Sequence, residues 1–188
     1  MPTRDDVTSA LGRWWRASAA VPAGLAWAVA YAVIAVSGVR FSTAYLNYGW
    51  QLAPWDILSR DPLRSAWYLH IQPPLWNLAL GVPARLSPFS DAITLQLLMA
   101  AIGVVATMLA ARLAERLGAG RRAATIVALV AMLHPEVLKG AFEPNYELAV
   151  AALLLAVLVV AARAERRGPR ALVELSVVLT VLVMTRSL

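Results

Sequence analysis

The sequence predicts an all-α fold: a polytopic helical membrane protein with about five transmembrane helices and a large outer loop carrying interfacial helices. Three observations predict it. Hydrophobic residues make up 60% of the 188-residue chain and mean hydropathy is +0.65, where an ordinary soluble domain has nearer half. Charges are sparse and gather between long apolar runs. One stretch, residues 40–91, interrupts the apolar pattern with Trp, Tyr, Pro and charge. No period-2 alternation recurs, so a barrel does not fit. The chain has no cysteine, which rules out structural disulfides.

Residues 1–20 read as a cytoplasmic N-terminal segment. Arg13 and Arg16 precede an apolar run, but further apolar runs follow, which favours a signal anchor over a cleaved segment. Residues 21–188 read as one transmembrane domain, with 40–91 as its first outer loop. The expected spans are Val21–Val39, Ile93–Ala111, Ala123–Leu138, Tyr146–Ala162 and Ala171–Thr185. The last three are short for a hydrocarbon core that asks for about 20 residues. Pro74–Leu86 is apolar but too short to cross. Pro73 and Pro74 suit a helix start, and Pro83 is expected to break the helix.

Charge then sets the topology. If Pro74–Leu86 does not cross, eleven of the 17 basic residues share one side with the N-terminus. If it crosses, the bias vanishes. The positive-inside rule therefore favours five spans, a cytoplasmic N-terminus and an interfacial or re-entrant Pro74–Leu86 on the outer face. The loops 40–91 and 139–147 then face the same way, and their acids converge: Asp56, Asp61, Asp91, Glu143 and Glu147. The net charge of +6 comes from arginines at helix ends, so nucleic acid is not the expected partner.

Each polar residue of that face has a functional and a plain structural reading. Asp56 and Asp61 are candidate general bases, since a carboxylate near an acceptor hydroxyl is what proton removal needs. Either could instead cap a helix or set a turn. His70 and Gln72 precede a diproline that fixes backbone direction, which suits them to position an acceptor or the loop. Glu143 and Asn145 could do the same, or cap the following helix. Glu143 and Glu147 are candidate ligands for a divalent cation, Mg or Mn, because such ions prefer oxygen. Arg60, Arg64 and Arg186 lie on the outer side against the charge bias. Snorkelling explains them, and so does a phosphate site, because the arginine fork matches phosphate oxygens. Trp55, Ile57 and Leu58 are placed to dip into headgroups. No P-loop, dinucleotide fingerprint or zinc spacing is present.

One span is followed by a large loop ending in His-x-x-Pro-Pro-Leu-Trp-x-x-x-Leu (His70–Leu80). Then come Ala-Arg-Leu-Ala-Glu-Arg-Leu-Gly (Ala111–Gly118), Arg-Arg-Ala-Ala (Arg121–Ala124), a short acidic loop, and a span ending Thr-Arg-Ser (Thr185–Ser187). Over residues 20–188 this resembles the N-terminal part of GT-C-type polyprenyl-phosphate-sugar glycosyltransferases. That group includes bacterial relatives of protein mannosyltransferases and aminoarabinose transferases. The resemblance implies a bacterial inner (plasma) membrane enzyme of the cell envelope. It would move a sugar from a lipid-linked phosphate donor to an acceptor on the outer face, using an acid of the first outer loop as base and, in some members, a divalent metal. The family's acid usually follows the first span closely. Here 41–54 holds no Asp or Glu, so Asp56 is the first candidate. The family also has more spans. The chain therefore reads as incomplete at its C-terminus, with a missing C-terminal half or a partner subunit. The rival readings are a non-catalytic membrane scaffold or an inactive fragment of this fold, and, ranked last, a small transporter.

Overall fold

The computed structural model describes residues 18–48, 53–68, 74–163 and 168–185, and among these every regular element is a helix. In chain order they are α1 (Ala20–Val36), α2 (Tyr45–Tyr48), α3 (Trp55–Arg60), α4 (Pro62–Tyr68), α5 (Pro74–Leu86), α6 (Asp91–Arg116), α7 (Arg121–Met132), α8 (Pro135–Ala141), α9 (Tyr146–Ala161) and α10 (Pro169–Thr185).

The central element is α6, against which α1, α7 and α9 pack, with α10 added outside α9. Its start is set by Ser90, whose hydroxyl caps the first turn by accepting from Ile93 N. The seam is built from small residues: Ala20, Ala23 and Gly24 on α1, Gly103, Ala106 and Thr107 on α6, Ala124 and Ala128 on α7, all buried. Small residues let helix backbones approach closely. At Gly103 the approach is so close that a Cβ would overlap the Trp27 ring. Leu95, Met99 and Leu148 also fill the core, but many large aliphatics point the other way. Val29 is 64% exposed, Val130 71% and Leu172 62%, so α1, α7 and α10 each turn bulky apolar side chains outward.

Among the described residues only α6 is both long and apolar enough to cross a membrane by itself, with 26 residues and a mean hydropathy of 2.1 in its best window. At 1.5 Å per residue it extends about 39 Å, beyond the ~30 Å of a hydrocarbon core. The five spans expected from sequence are not supported by the helix lengths. Helices do stand at all five places, but α1 and α10 have 17 residues, α9 has 16 and α7 has 12.

The third expected span, Ala123–Leu138, is two helices. α7 and α8 meet at a 71° bend, and together they could make one broken span. The cause is local. Pro135 disfavours helical backbone at His134, and His134 instead caps α8, its Nδ1 accepting from Glu136 N at 3.4 Å. The break frees the Met132 carbonyl, and the buried Trp27 indole donates to it at 3.0 Å.

Pro74–Leu86 forms α5 with the expected bounds, but Pro83 lies inside it and does not break it. The ring removes one backbone bond, yet Ser87 N still donates to Pro83 O at 2.9 Å and the turn continues. Trp76, Asn77, Leu80, Gly81 and Ala84 form its buried face.

Candidate functional site

α3 and α4 are joined at an elbow. Pro62 prevents helical backbone at Asp61, which is extended (φ −143°, ψ 76°). The Asp61 carboxylate then accepts from Arg64 N at 3.2 Å, capping α4. Ser65 staples the two helices by donating to Asp61 O at 2.6 Å and leaning on Ile57 O at 3.3 Å.

The elbow is held from beneath by α5. Leu58 is fully buried. A Cβ at Gly81 would lie 2.9 Å from Pro62 Cβ and 3.0 Å from Leu58 Cγ, so only glycine lets α5 come this close. The buried Asn77 amide oxygen accepts from Ala53 N at 2.8 Å, fixing the strand of chain that leads into α3. Trp55, expected to reach into headgroups, is half-buried and donates its indole N–H to Asp91 Oδ2 at 2.8 Å. That bond ties the start of α3 to the start of α6 and occupies the one acid of this face at the head of the long helix.

Against the outer side of the elbow is an open cleft of about 470 Å³, lined by Asp56, Arg60, Asp61, Arg64 and Ser65, with Ala53, Pro54 and Ile57. Four of the residues singled out from sequence therefore meet at one place. Asp56 and Arg60 are one turn apart on α3, and both are exposed. Asp56 stands in the first turn but does not cap it, since the residue before the helix is Pro54 and no side-chain cap is made. No hydrogen bond or ion pair engages Asp56 or Arg60 among the described residues. The two acids thus separate into different roles: Asp61 holds backbone, and Asp56 presents its carboxylate to the cleft.

The remaining candidates lie elsewhere. Asn145 caps α9 by accepting from Glu147 N at 3.2 Å. Glu143 and Glu147 flank Tyr45, whose phenol is pushed above its ordinary value, first by burial and then by Tyr146, Glu147 and Glu143. This second surface is where the loops 40–91 and 139–147 touch, through Ser42 N donating to Phe142 O at 2.9 Å. Neither Glu143 nor Glu147 lines the elbow cleft. Among the described residues no three His, Asp or Glu side chains gather to hold a metal ion. His70, Gln72 and Arg186 lie outside the described residues.

Sequence reasoning missed Asn77, Gly81 and Ser65, the residues that set the cleft's shape. A glycine inside a helical pattern was the available signal for Gly81. Comparison with known protein families, with curated proteins and with solved structures found no match.

Proposed function

We propose that the chain is part of a membrane glycosyltransferase that moves a sugar from a lipid-linked phosphate donor to an acceptor hydroxyl, with the α3–α4 cleft as its reaction site. The observation that carries the reading is the pairing of an exposed carboxylate, Asp56, with the Arg60 guanidinium one turn away and Arg64 across the elbow. The cleft volume of about 470 Å³ falls within the range of small-molecule sites.

The chemistry follows from that pairing. The acceptor oxygen attacks the anomeric carbon, and the bond from that carbon to the donor phosphate oxygen breaks. Asp56 takes the acceptor's proton. The lipid phosphate leaves with the bonding electrons, and Arg60 and Arg64 balance its charge. Asp61 sets the elbow and with it the position of Arg64.

The membrane part of the reading places α1, α6, the bent pair α7–α8, α9 and α10 across a bacterial plasma membrane, with the N-terminus cytoplasmic. What supports it is the bulky aliphatics turned outward on α1, α7 and α10, as on lipid-facing helices, together with a small-residue seam where the helices meet. The uneven arginines support the orientation. Arg112, Arg116, Arg121, Arg122, Arg163 and Arg170 lie at the end where α6 and α9 finish and α7 and α10 begin, opposite the elbow.

The test is sugar transfer by the complete protein in membranes. Asp56→Asn is expected to lower the rate by about a hundredfold or more, the size of a general-base contribution. Asp61→Asn is expected to retain more activity and to loosen the elbow. If Asp56→Asn transfers sugar at the unchanged rate, the base assignment fails; if the wild type transfers no sugar, the scaffold reading takes the enzyme's place.

A further inference from the structure

We infer that the chain binds an acyl chain of a bilayer phospholipid in an apolar cavity between α5, α6, α9 and α10, with the ester carbonyl accepting a hydrogen bond from the Trp76 indole. The inference rests on the membrane reading above and is independent of sugar transfer.

The cavity measures about 340 Å³. Each helix around it packs against the next, α5 on α6, α6 on α9, α9 on α10 and α10 on α5, so together they ring it. Alanines make the hollow: Ala79 on α5, Ala101 on α6, and Ala149 and Ala152 on α9 all line it. Ala101 and Val105 are lining residues that are also exposed, which opens the cavity on the flank of α6. In the membrane reading that flank meets lipid. An apolar cavity stays dry and takes apolar guests, and acyl chains are the guests a bilayer supplies.

A second, independent observation calls for an acceptor. The Trp76 ring lines the cavity and is 2% exposed, and its Nε1–H has no hydrogen-bond partner among the described residues. Trp27 and Trp55, by contrast, both donate, to Met132 O and to Asp91 Oδ2. Thr185, also at the cavity, already donates to Val181 O at 2.7 Å. A buried donor left unpaired costs stability until an acceptor reaches it. That acceptor must itself leave water. A neutral ester carbonyl does so far more cheaply than a phosphate or a carboxylate, and it is bonded directly to the chain that fills the cavity. Trp76 stands in the first turn of α5, Ala149 in the first turn of α9, and Thr185 ends α10. In the membrane reading these lie toward the outer rim, the level at which tryptophans meet the headgroup region.

The experiment uses the full chain in nanodiscs of equal diacyl and dialkyl-ether phosphatidylcholine. The two lipids share headgroup and chain length and differ in the carbonyl. Lipid retained after detergent transfer is counted by native mass spectrometry. The wild type is expected to retain the ester lipid over the ether lipid by about fivefold, the worth of one hydrogen bond. Trp76→Phe keeps an aromatic wall without the donor and should abolish that preference. Trp27→Phe, whose donor serves Met132, should leave it. Ala101→Leu narrows the cavity at an exposed position and should lower retention of both lipids alike. That variant and the wild-type preference carry the test if Trp76→Phe does not fold. Equal retention of both lipids by the wild type would overturn the site, as would an unchanged preference in Trp76→Phe or undiminished retention in Ala101→Leu. Displacement of the ester lipid by an equimolar polyprenol would give the cavity to an isoprenoid chain and overturn the acyl assignment. A dimer that retains no lipid would give it to a second copy of the chain, with the same result. A chain that does not enter nanodiscs would overturn the membrane reading as well, whereas one that enters without preference overturns this site alone.

Discussion

Trp55 and Asp91, 36 residues apart, are joined by an indole N–H to carboxylate bond of 2.8 Å. This links the first residue of the short helix bearing Asp56 to the first residue of the longest helix in the fold. The α3–α4 elbow is therefore hung on the helix bundle at its rim. Trp55→Phe keeps the ring and removes the donor, leaving a part-buried carboxylate without its partner. It is expected to cost about 1–2 kcal/mol of stability, read as a lower thermal midpoint in detergent, with the α3–α4 region losing hydrogen-exchange protection first.

Gly81 sets how closely α5 supports the elbow. Gly81→Ala puts a Cβ 2.9 Å from Pro62 Cβ and 3.0 Å from Leu58 Cγ. Neither proline ring nor buried leucine yields easily, so about 1–3 kcal/mol of destabilisation is expected. Gly140→Ala is the control. It lies in α8 with open space around a new Cβ, so it should be neutral or stabilising by up to about 1 kcal/mol. Chemical unfolding of both variants checks the contrast.

Much of the fold was legible in the sequence, and the exceptions have physical causes. Helices stand at each apolar run, and α5 has the bounds its diproline start suggested. The broken span was drawn through because Ala123–Leu138 is apolar on both sides of the break, although His134-Pro135 carried the signal. The ends of the spans were also misdrawn, because an apolar run does not end where the helix does: α6 and α10 run beyond the spans drawn for them, and α1 stops short of its own. Asp56 and Arg60 are four apart on one helix, so their meeting was readable, whereas Arg64 is brought alongside by the elbow at Asp61-Pro62. The supports were not, because Asn77 and Gly81 meet Ala53, Leu58 and Pro62 far along the chain, on a helix whose packing partner no local pattern names. The same limit hid the Trp55–Asp91 bond.

The Trp27 indole satisfies the carbonyl that the α7–α8 break sets free. Trp27→Phe keeps most of the packing and leaves that buried carbonyl without its donor. A loss of about 1–3 kcal/mol is expected. In hydrogen exchange the residues around Met132 should be affected before those of α9.

Tyr45 gives an alkaline signature. Its folded pKa is raised, chiefly by burial, so the native state holds the phenol proton more tightly than the unfolded chain. The stability it contributes is fully present below the unfolded value of about 10 and is lost as pH rises through the folded value. The thermal midpoint of the wild type should therefore fall more steeply above pH ~10 than that of Tyr45→Phe. Parallel curves would remove Tyr45 as the cause.

The central claim is that the α3–α4 elbow holds a lipid-linked sugar phosphate. The most direct measurement is binding of a polyprenyl-phosphate sugar to the purified full chain, wild type beside Arg60→Gln and Asp56→Asn. The account predicts saturable binding that Arg60→Gln weakens by about tenfold, the worth of one charge-assisted contact, and that Asp56→Asn leaves within a factor of about two. Binding that is absent from a well-folded wild type, or that Arg60→Gln leaves unchanged, would contradict it.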